Sequence, residues 1–287
     1  MTMIKSCSTI KRNVILSDYT SVKIGGVGKM VAYPTANEFS DTIIELVDND
    51  LPFYILGRGS NTLISDDGYR GVVVMTTKLN SISVVGETMC CGAGASLIEA
   101  SRLARENSLS GLEWAVGIPG SIGGALVTNA GAYGGSIGDI VDSVTIVKDK
   151  EKVYKNEDLG FTYRDSRVGD LGAVKDVVLK LKKSDYFAIV NREGEYVTRR
   201  RNSQPRALSL GSVYKAHNGI SAGYYIDQAG LKGLRIGGAE VSHVHAGFII
   251  NLGGATSRDY HKIMEIVEQA VYDKYGIKLI REIKFLE

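Results

Sequence analysis

The sequence predicts an α+β protein: two small α/β units in succession, followed by a C-terminal segment of different character. Three observations predict it. Residues 20–75 alternate short apolar runs with one amphipathic helix, and residues 82–181 do so again around a second helix. Beyond Gln204-Pro205 the composition changes, and all four histidines (His217, His243, His245 and His261) fall there. The implied segments are 1–76, 77–202 and 203–287.

In the first segment Thr35-Ala36-Asn37-Glu38 has the capping-box pattern, so a helix is expected from there. Phe39, Ile43, Ile44 and Val47 recur at helical spacing, and Pro52 closes the helix off. Phe53 to Leu56 is a short apolar strand running into Gly57, and Val72 to Met75 is a strand buried on both faces. In the second segment Ile82–Val85 and Thr88–Cys91 form a hairpin around Gly86. Ser96 to Glu99 is another capping box, and Leu97, Ala100, Leu103 and Ala104 face the core behind it. A Gly-rich, nearly uncharged stretch covers 111–138. Strands follow at Val141–Val147, Glu151–Tyr154 and Val177–Leu181, and a helix at Asp185–Arg201 whose Arg199-Arg200-Arg201 run reads as a solvated face, with an anion contact as the alternative. In the third segment Tyr224–Gly230 is a short helix ending on glycine, and Gly247–Asn251 a strand. Ile263, Ile266, Val267, Ala270 and Val271 stripe a long helix ended by Gly276, and Lys278–Leu286 is a final strand.

Composition narrows the class of function. The 287 residues carry 34 Lys+Arg against 32 Asp+Glu, a net charge of +2, which argues against nucleic-acid or membrane-surface binding. No apolar run approaches the ~20 residues of a membrane helix, and MTMIKSCST has no signal-peptide core, so a cytoplasmic protein is expected. Cys7, Cys90 and Cys91 are odd in number and lack metal spacing, so they read as reduced thiols and no metal site is expected. Glycine is the outlier, 34 against 4 prolines, clustered in apolar surroundings as in ligand-facing turns.

Five motifs could carry chemistry. Gly57-Arg58-Gly59-Ser60-Asn61 follows a strand, and its small residues could turn N–H groups into one phosphate-binding nest; an ordinary strand-to-turn connection is the alternative. Gly117-Ile118-Pro119-Gly120-Ser121-Ile122-Gly123-Gly124-Ala125, continued by Asn129-Ala130-Gly131-Ala132-Tyr133-Gly134, is too apolar for a surface loop. It could lie flat against a large planar ligand, or serve tight packing. Two such segments on two α/β units suggest an extended dinucleotide. Tyr163-Arg164-Asp165-Ser166 could bind an anion or only brace a local Asp. In Ser209-Leu210-Gly211-Ser212-Val213-Tyr214-Lys215 a glycine exposes Ser212, without the surroundings of a hydrolase nucleophile. Arg281-Glu282-Ile283-Lys284 could be a solvated strand face.

Taken together and in order, these segments resemble the UDP-N-acetylenolpyruvoylglucosamine reductase family of bacterial cell-wall enzymes. The resemblance rests on ILGRGSN at 55–61, GIPGSIGGA at 117–125, NAGAYG at 129–134, YRDS at 163–166, SLGSVYK at 209–215, QAGLKG at 228–233, HAGFIIN at 245–251 and REIK at 281–284. It covers residues 20 to 287 and looks like the shorter of the family's two structural types. It implies two α/β FAD-binding subdomains of the vanillyl-alcohol-oxidase (PCMH) type and a C-terminal α+β substrate domain. The implied reaction is NADPH-dependent, FAD-mediated reduction of UDP-N-acetylglucosamine enolpyruvate to UDP-N-acetylmuramate, for peptidoglycan precursor synthesis. Hydride passes through flavin N5, and the enolate is then protonated. Non-covalent FAD is expected: no histidine precedes 217, and neither Cys90 nor Cys91 lies in a Gly-rich loop. The partners are small molecules, and a monomer is expected.

By resemblance Arg164 stabilises the enolate, Ser212 donates the proton and Glu282 assists. Ile55, Leu56, Gly57, Arg58, Gly59, Ser60, Asn61 and Thr62 would hold the cofactor with Gly117, Ile118, Pro119, Gly120, Ser121, Gly123, Gly124 and Ala125. Tyr133, Tyr163, Lys215 and His245 would meet the substrate. Two departures stand out: Ala216-His217 replaces the Asn-Pro that often follows the serine motif, and Leu210 replaces a usual Ala. The competing readings are another flavin oxidoreductase of this fold and a non-catalytic nucleotide-binding module. Neither has a reason to keep Arg164, Ser212 and Glu282 in their motifs.

Overall fold

The computed structural model describes residues 4–287. Its chain forms two units: the segment ending at Arg12 with Met30–Arg58 and Gly71–Arg200, and Asn13–Lys29 with Gly59–Arg70 and Arg201–Glu287.

The first unit is built on an antiparallel five-stranded sheet. Its order is Glu151–Lys155, Val141–Val147, Ala173–Lys180, Thr88–Gly92, Ile82–Val85. The last two strands are the expected hairpin, turned at Gly86 with φ +62°. A second, four-stranded sheet has the order Ile10–Ile15, Val27–Ala32, Tyr69–Met75, Phe53–Leu56. Its Phe53–Leu56 strand runs parallel to Val72–Met75, whose four residues are all buried. Helix α1 (Phe39–Asp48) sends Phe39, Ile43 and Leu46 into the core, while Ile44 and Val47 stay half-buried. The stripe is thus rotated from the expected one. Its capping box is also incomplete: Thr35 donates its N–H and hydroxyl to Glu38, at 2.8 and 2.9 Å, and its oxygen accepts nothing from the Glu38 N–H. Helix α2 (Leu97–Glu106) has its N-cap at Ser96, which accepts from the Glu99 N–H at 3.5 Å. The Glu99 carboxylate turns instead to Arg102. One continuous core holds residues from α1, from α2 and from both sheets, among them Phe39, Val74, Met89, Leu97, Val144 and Val177. The expected boundary at 76/77 therefore separates two sheets that share one core.

Short helices α3 (Ile122–Val127) and α4 (Val168–Leu171) and the long α5 (Tyr186–Ser203) complete this unit. Two buried carboxylates hold α5. Arg105 of α2 meets Glu193 at 2.6 Å, and Arg192 meets Glu113 at 2.6 Å; both carboxylate side chains are 5% exposed.

The second unit has a four-stranded sheet ordered Leu208–Ser212, Phe248–Asn251, Ala239–Val241, Arg235–Ile236. Helices α6 (Ala222–Gln228) and α7 (Ser257–Tyr275) pack with it around Tyr214, Ile249, Tyr260, Ile263, Met264 and Val267. Helix α7 has a complete capping box from Thr256 and Asp259 and ends on left-handed Gly276, as the sequence requires. The Asp66 carboxylate also accepts the Ser257 and Arg258 N–H groups, at 2.8 and 3.2 Å. The final strand is shorter than expected. Only Lys284–Leu286 pairs, parallel to Thr62–Ile64, while Arg281 makes an isolated bridge to Tyr214. Ile280 is 61% exposed while Ile283 is buried, and the ladder with Thr62–Ile64 begins only at Lys284. The segments 13–29 and 59–70, expected to sit with residues 1–76, cluster with 201–287. Such pairing joins residues far apart in sequence and leaves no local pattern.

Candidate active site

In the first unit, strand Phe53–Leu56 delivers Gly57 against Ser121. A Cβ at residue 57 would lie 2.2 Å from Ser121 Oγ and 4.0 Å from Thr76 Oγ1. Ser121 is buried and caps α3, accepting from the Gly124 N–H at 3.3 Å. The Ile122 and Gly123 N–H groups donate to Ala95 and Ala93 carbonyls, at 2.9 and 2.8 Å. A Cβ on Gly123 would come within 3.0 Å of Ala93 Cβ, so this glycine serves backbone-on-backbone packing. Gly117, Pro119 and Gly124 stay exposed, and Arg200 of α5 lies 3.4 Å from where a Gly117 Cβ would stand.

Thr76 was not anticipated. Its hydroxyl is buried and, among the described residues, is a side-chain polar atom with no hydrogen-bond partner. A threonine after a buried strand carries no sequence signal for this role. With no side chain at Gly57, the Ser121 hydroxyl fills the space beside it, and with the orphaned Thr76 hydroxyl makes an uncharged cradle of donors. That donor set fits the pyrophosphate of a dinucleotide such as FAD.

Beyond α3, Arg164 and Tyr163 form the tip of a two-residue turn. Thr162 and Asp165 close it with reciprocal backbone bonds of 3.0 and 3.2 Å. Arg164 has φ +55°, and its Nη2 donates to the Gly131 carbonyl. Its guanidinium lies 5.4 Å from the centroid of the exposed Tyr163 ring. Tyr133, at φ +54°, stacks on Tyr196 of α5 with centroids 4.3 Å apart, and its hydroxyl donates to the Tyr196 carbonyl at 3.3 Å. The sequence reading missed Tyr196; its place four residues before Arg200 on one helix face was the available signal.

In the second unit, Gly59 sits at φ +58° where a Cβ would meet the Tyr19 carbonyl at 2.1 Å. Its own carbonyl accepts the Ser21 N–H at 3.0 Å. Asn61 donates to the Glu282 carbonyl at 3.2 Å, and the buried Thr62 opens the strand paired with Lys284–Leu286. Ser212 ends its strand after a register shift that spans left-handed Gly211. Its hydroxyl donates to the Tyr214 carbonyl at 3.1 Å. The Glu282 N–H donates to the carbonyl of Val213, at 2.8 Å. Ser212 and Glu282 are thus brought into adjacent registers. The Lys215 N–H donates to the Ile280 carbonyl at 2.8 Å. His245 packs its ring 5.0 Å from Phe248, the residue opposite Ser212. Its Nδ1 accepts the Gly247 N–H at 3.0 Å. That bond requires an unprotonated Nδ1, and burial pushes the imidazole below its ordinary value. Leu210 is buried in this unit's core, and Ala216 and His217 follow Lys215.

Known proteins match both parts of the chain. Residues 29–156 fit the profile of an FAD binding domain, and residues 204–286 the profile of the UDP-N-acetylenolpyruvoylglucosamine reductase C-terminal domain. The UDP-N-acetylenolpyruvoylglucosamine reductase of Clostridium novyi (strain NT) is 38% identical over 282 residues, covering 96% of this chain and 92% of that one. The chain belongs to the UDP-N-acetylenolpyruvoylglucosamine reductase family. The reductase of Geobacillus kaustophilus (strain HTA426) is 40% identical over 287 residues, covering 96% and 94%. The crystal structure of the Thermus caldophilus reductase superposes with a TM-score of 0.86 at 34% identity, covering 97% of this chain and 99% of that one. As a member of this reductase family the chain is an oxidoreductase of peptidoglycan synthesis with an FAD-binding domain. The fold class expected from the sequence is the one found. No helix among the described residues is long and apolar enough to cross a membrane, and no group of three or more His, Cys, Asp or Glu there could hold a metal.

Proposed function

We propose that the chain reduces UDP-N-acetylglucosamine enolpyruvate to UDP-N-acetylmuramate in the cytoplasm, as a monomer, with NADPH as the electron source. The observation that supports this reading is the backbone bond from the Glu282 N–H to the Val213 carbonyl at 2.8 Å, which brings Glu282 within one residue of the register of Ser212. Bound FAD supplies the hydride relay, from nicotinamide to the terminal carbon of the enolpyruvyl double bond. The cradle of Gly57, Ser121 and Thr76 holds the cofactor. Cofactor attachment is non-covalent in this reading: the Cys91 thiol is buried and its pKa is pushed up to about 12, and the exposed Cys90 lies beside it on a sheet strand, outside the Gly-rich loops.

Hydride arrival leaves negative charge spread into the substrate carboxylate. The Arg164 guanidinium, held at its turn by the Gly131 carbonyl, stabilises that charge. Ser212 Oγ donates the proton to the neighbouring carbon, breaking its bond to the Tyr214 carbonyl as it turns, and regains a proton from solvent before the next turnover. A serine hydroxyl is a weak acid, and the strong basicity of the enolate makes the transfer feasible. Glu282 assists enolate formation and protonation. His245 offers an Nε2–H donor to the substrate, because its Nδ1 is already an acceptor. Tyr133, Tyr163 and Lys215 are its further contacts.

The test is anaerobic. The purified holoenzyme is reduced with NADPH and then given UDP-N-acetylglucosamine enolpyruvate. Bleaching of the flavin band followed by its return on adding substrate is expected. Reoxidation only by oxygen would overturn the substrate assignment, and no flavin band after adding FAD would overturn the cofactor cradle.

A further inference from the structure

We infer that Asn129 is a positioning residue for Arg164, an inference that rests on the role of Arg164 proposed above. Asn129 is 8% exposed and sits at φ +42°, a left-handed conformation that asparagine tolerates better than most residues. Both ends of its amide are used. Nδ2 donates to the Thr162 carbonyl at 2.7 Å, and Oδ1 accepts the Gly138 N–H at 3.0 Å. Thr162 is the base of the turn that carries Arg164. Two residues after Asn129, the Gly131 carbonyl accepts from the Arg164 guanidinium. One short stretch, 129–131, therefore grips the base of the turn with a side chain and the end of the arginine with its backbone.

This grip is tied to a rigid support. Gly131 pairs with Ser136 across a tight hairpin, and a Cβ on Gly131 would meet the Gly135 carbonyl at 2.4 Å. A Cβ on Gly135 would in turn meet the Trp114 ring at 2.6 Å, so the hairpin lies flat on a buried indole. On the exit side of the turn, Ser166 Oγ donates to the Leu126 and Val127 carbonyls, at 2.9 and 3.0 Å. Arg164 is a long side chain at the tip of a two-residue turn. Without Asn129 the base of that turn loses the side-chain bond that fixes its height. Displacement of a charge-stabilising group by about 1 Å costs on the order of 10²-fold in rate.

The test uses holoenzyme and separates the two half-reactions. Asn129→Asp keeps the size and the Oδ1 acceptor but replaces the donor with a carboxylate oxygen facing the Thr162 carbonyl. Its reoxidation by UDP-N-acetylglucosamine enolpyruvate is expected to slow about 10- to 100-fold, while FAD content and flavin reduction by NADPH stay within about twofold of wild type. Added to Arg164→Met, the Asn129→Asp change should slow reoxidation no further, because residues that act as one unit are non-additive. Gly138→Ala provides a second route. Its Cβ would stand 2.9 Å from Asn129 Oδ1 and 2.8 Å from the ring of Phe161, the residue before Thr162, so it presses on both the amide and the base of the turn, and the same selective loss is expected. If Asn129→Asp does not fold or loses FAD, Gly138→Ala decides. Equal slowing of both half-reactions, or additive losses in the double variant, would overturn the inference. A slow Arg164→Met beside a normal Asn129→Asp would overturn the positioning alone. A normal Arg164→Met would overturn the role of Arg164 and the positioning with it.

Discussion

Ser121 occupies the space that a side chain on Gly57 would need, its Oγ lying 2.2 Å from the position of a residue-57 Cβ. The same hydroxyl caps α3 through the Gly124 N–H. Gly57→Ala should therefore drive Ser121 off its cap, at a cost of about 1 kcal/mol, or about 2 °C in Tm. It should also lower the ratio of bound FAD to protein. Adding Ser121→Gly removes the clash and should recover most of the Tm but not the FAD. Full flavin occupancy and unchanged Tm in Gly57→Ala would show that the cradle does not depend on this contact.

Ser212→Ala removes a hydroxyl that donates to the Tyr214 backbone carbonyl. FAD content and reduction by NADPH should match wild type, while reoxidation by substrate falls ~10²- to 10⁴-fold. Stopped-flow absorbance of the flavin band reads both steps. Loss of flavin from this variant would assign Ser212 a structural role.

Glu193 accepts the Ser101 hydroxyl at 2.9 Å and Arg105 at 2.6 Å, with its side chain 5% exposed. Glu193→Ala leaves Ser101 without that acceptor and Arg105 without its counter-charge. Breaking a buried pair costs about 3–5 kcal/mol. Arg105 is 30% exposed and can reach water, which places the expected loss near the low end, about 3 kcal/mol. Thermal melting should show a Tm lowered by on the order of 6–12 °C. A shift below about 2 °C would mean that α5 does not depend on this pair.

The depressed pKa of His245 has a definite sign in stability. The folded protein holds the ring neutral, so the unfolded chain takes up the proton first as pH falls. The contribution is complete above the ordinary histidine range near 6.5 and is lost as pH falls through the lower folded value. His245→Gln has no titrating ring, and its Tm should decline less than wild type between about pH 7 and 5. Parallel Tm–pH curves for the two proteins would show that His245 does not titrate differently on folding.

Elements with a local cause were legible in the sequence. The α7 stripe and its Gly276 stop, the hairpin at Gly86 and the buried Val72–Met75 strand follow from periodicity and turn chemistry. The candidate catalytic groups were legible only through their combination, because Tyr163-Arg164-Asp165-Ser166 alone fits any braced loop. Other features depend on residues distant in sequence. The orphaned Thr76 hydroxyl, the Tyr133–Tyr196 stack and the clustering of 59–70 with 201–287 leave no periodic trace. The glycine strip around 117–125 left two readings open from sequence, a ligand-facing surface or tight packing, and only a three-dimensional neighbour could separate them. Part of it serves packing, bringing two backbones together through the Gly123 N–H and the Ala93 carbonyl.

The hydrogen bond from Asn61 to Glu282 spans 221 residues of sequence, and the parallel pairing of Thr62–Ile64 with Lys284–Leu286 spans a similar stretch. A ribosome makes these partners at opposite ends of elongation. At ~5–20 residues per second, the segment carrying Ser60 and Asn61 waits ten seconds or more before its pairing strand exists. The second unit therefore matures late in synthesis, however early the first has folded. A nascent chain halted before residue 282 lacks this anchor and leaves Asn61 and the Thr62–Ile64 strand without their C-terminal partners.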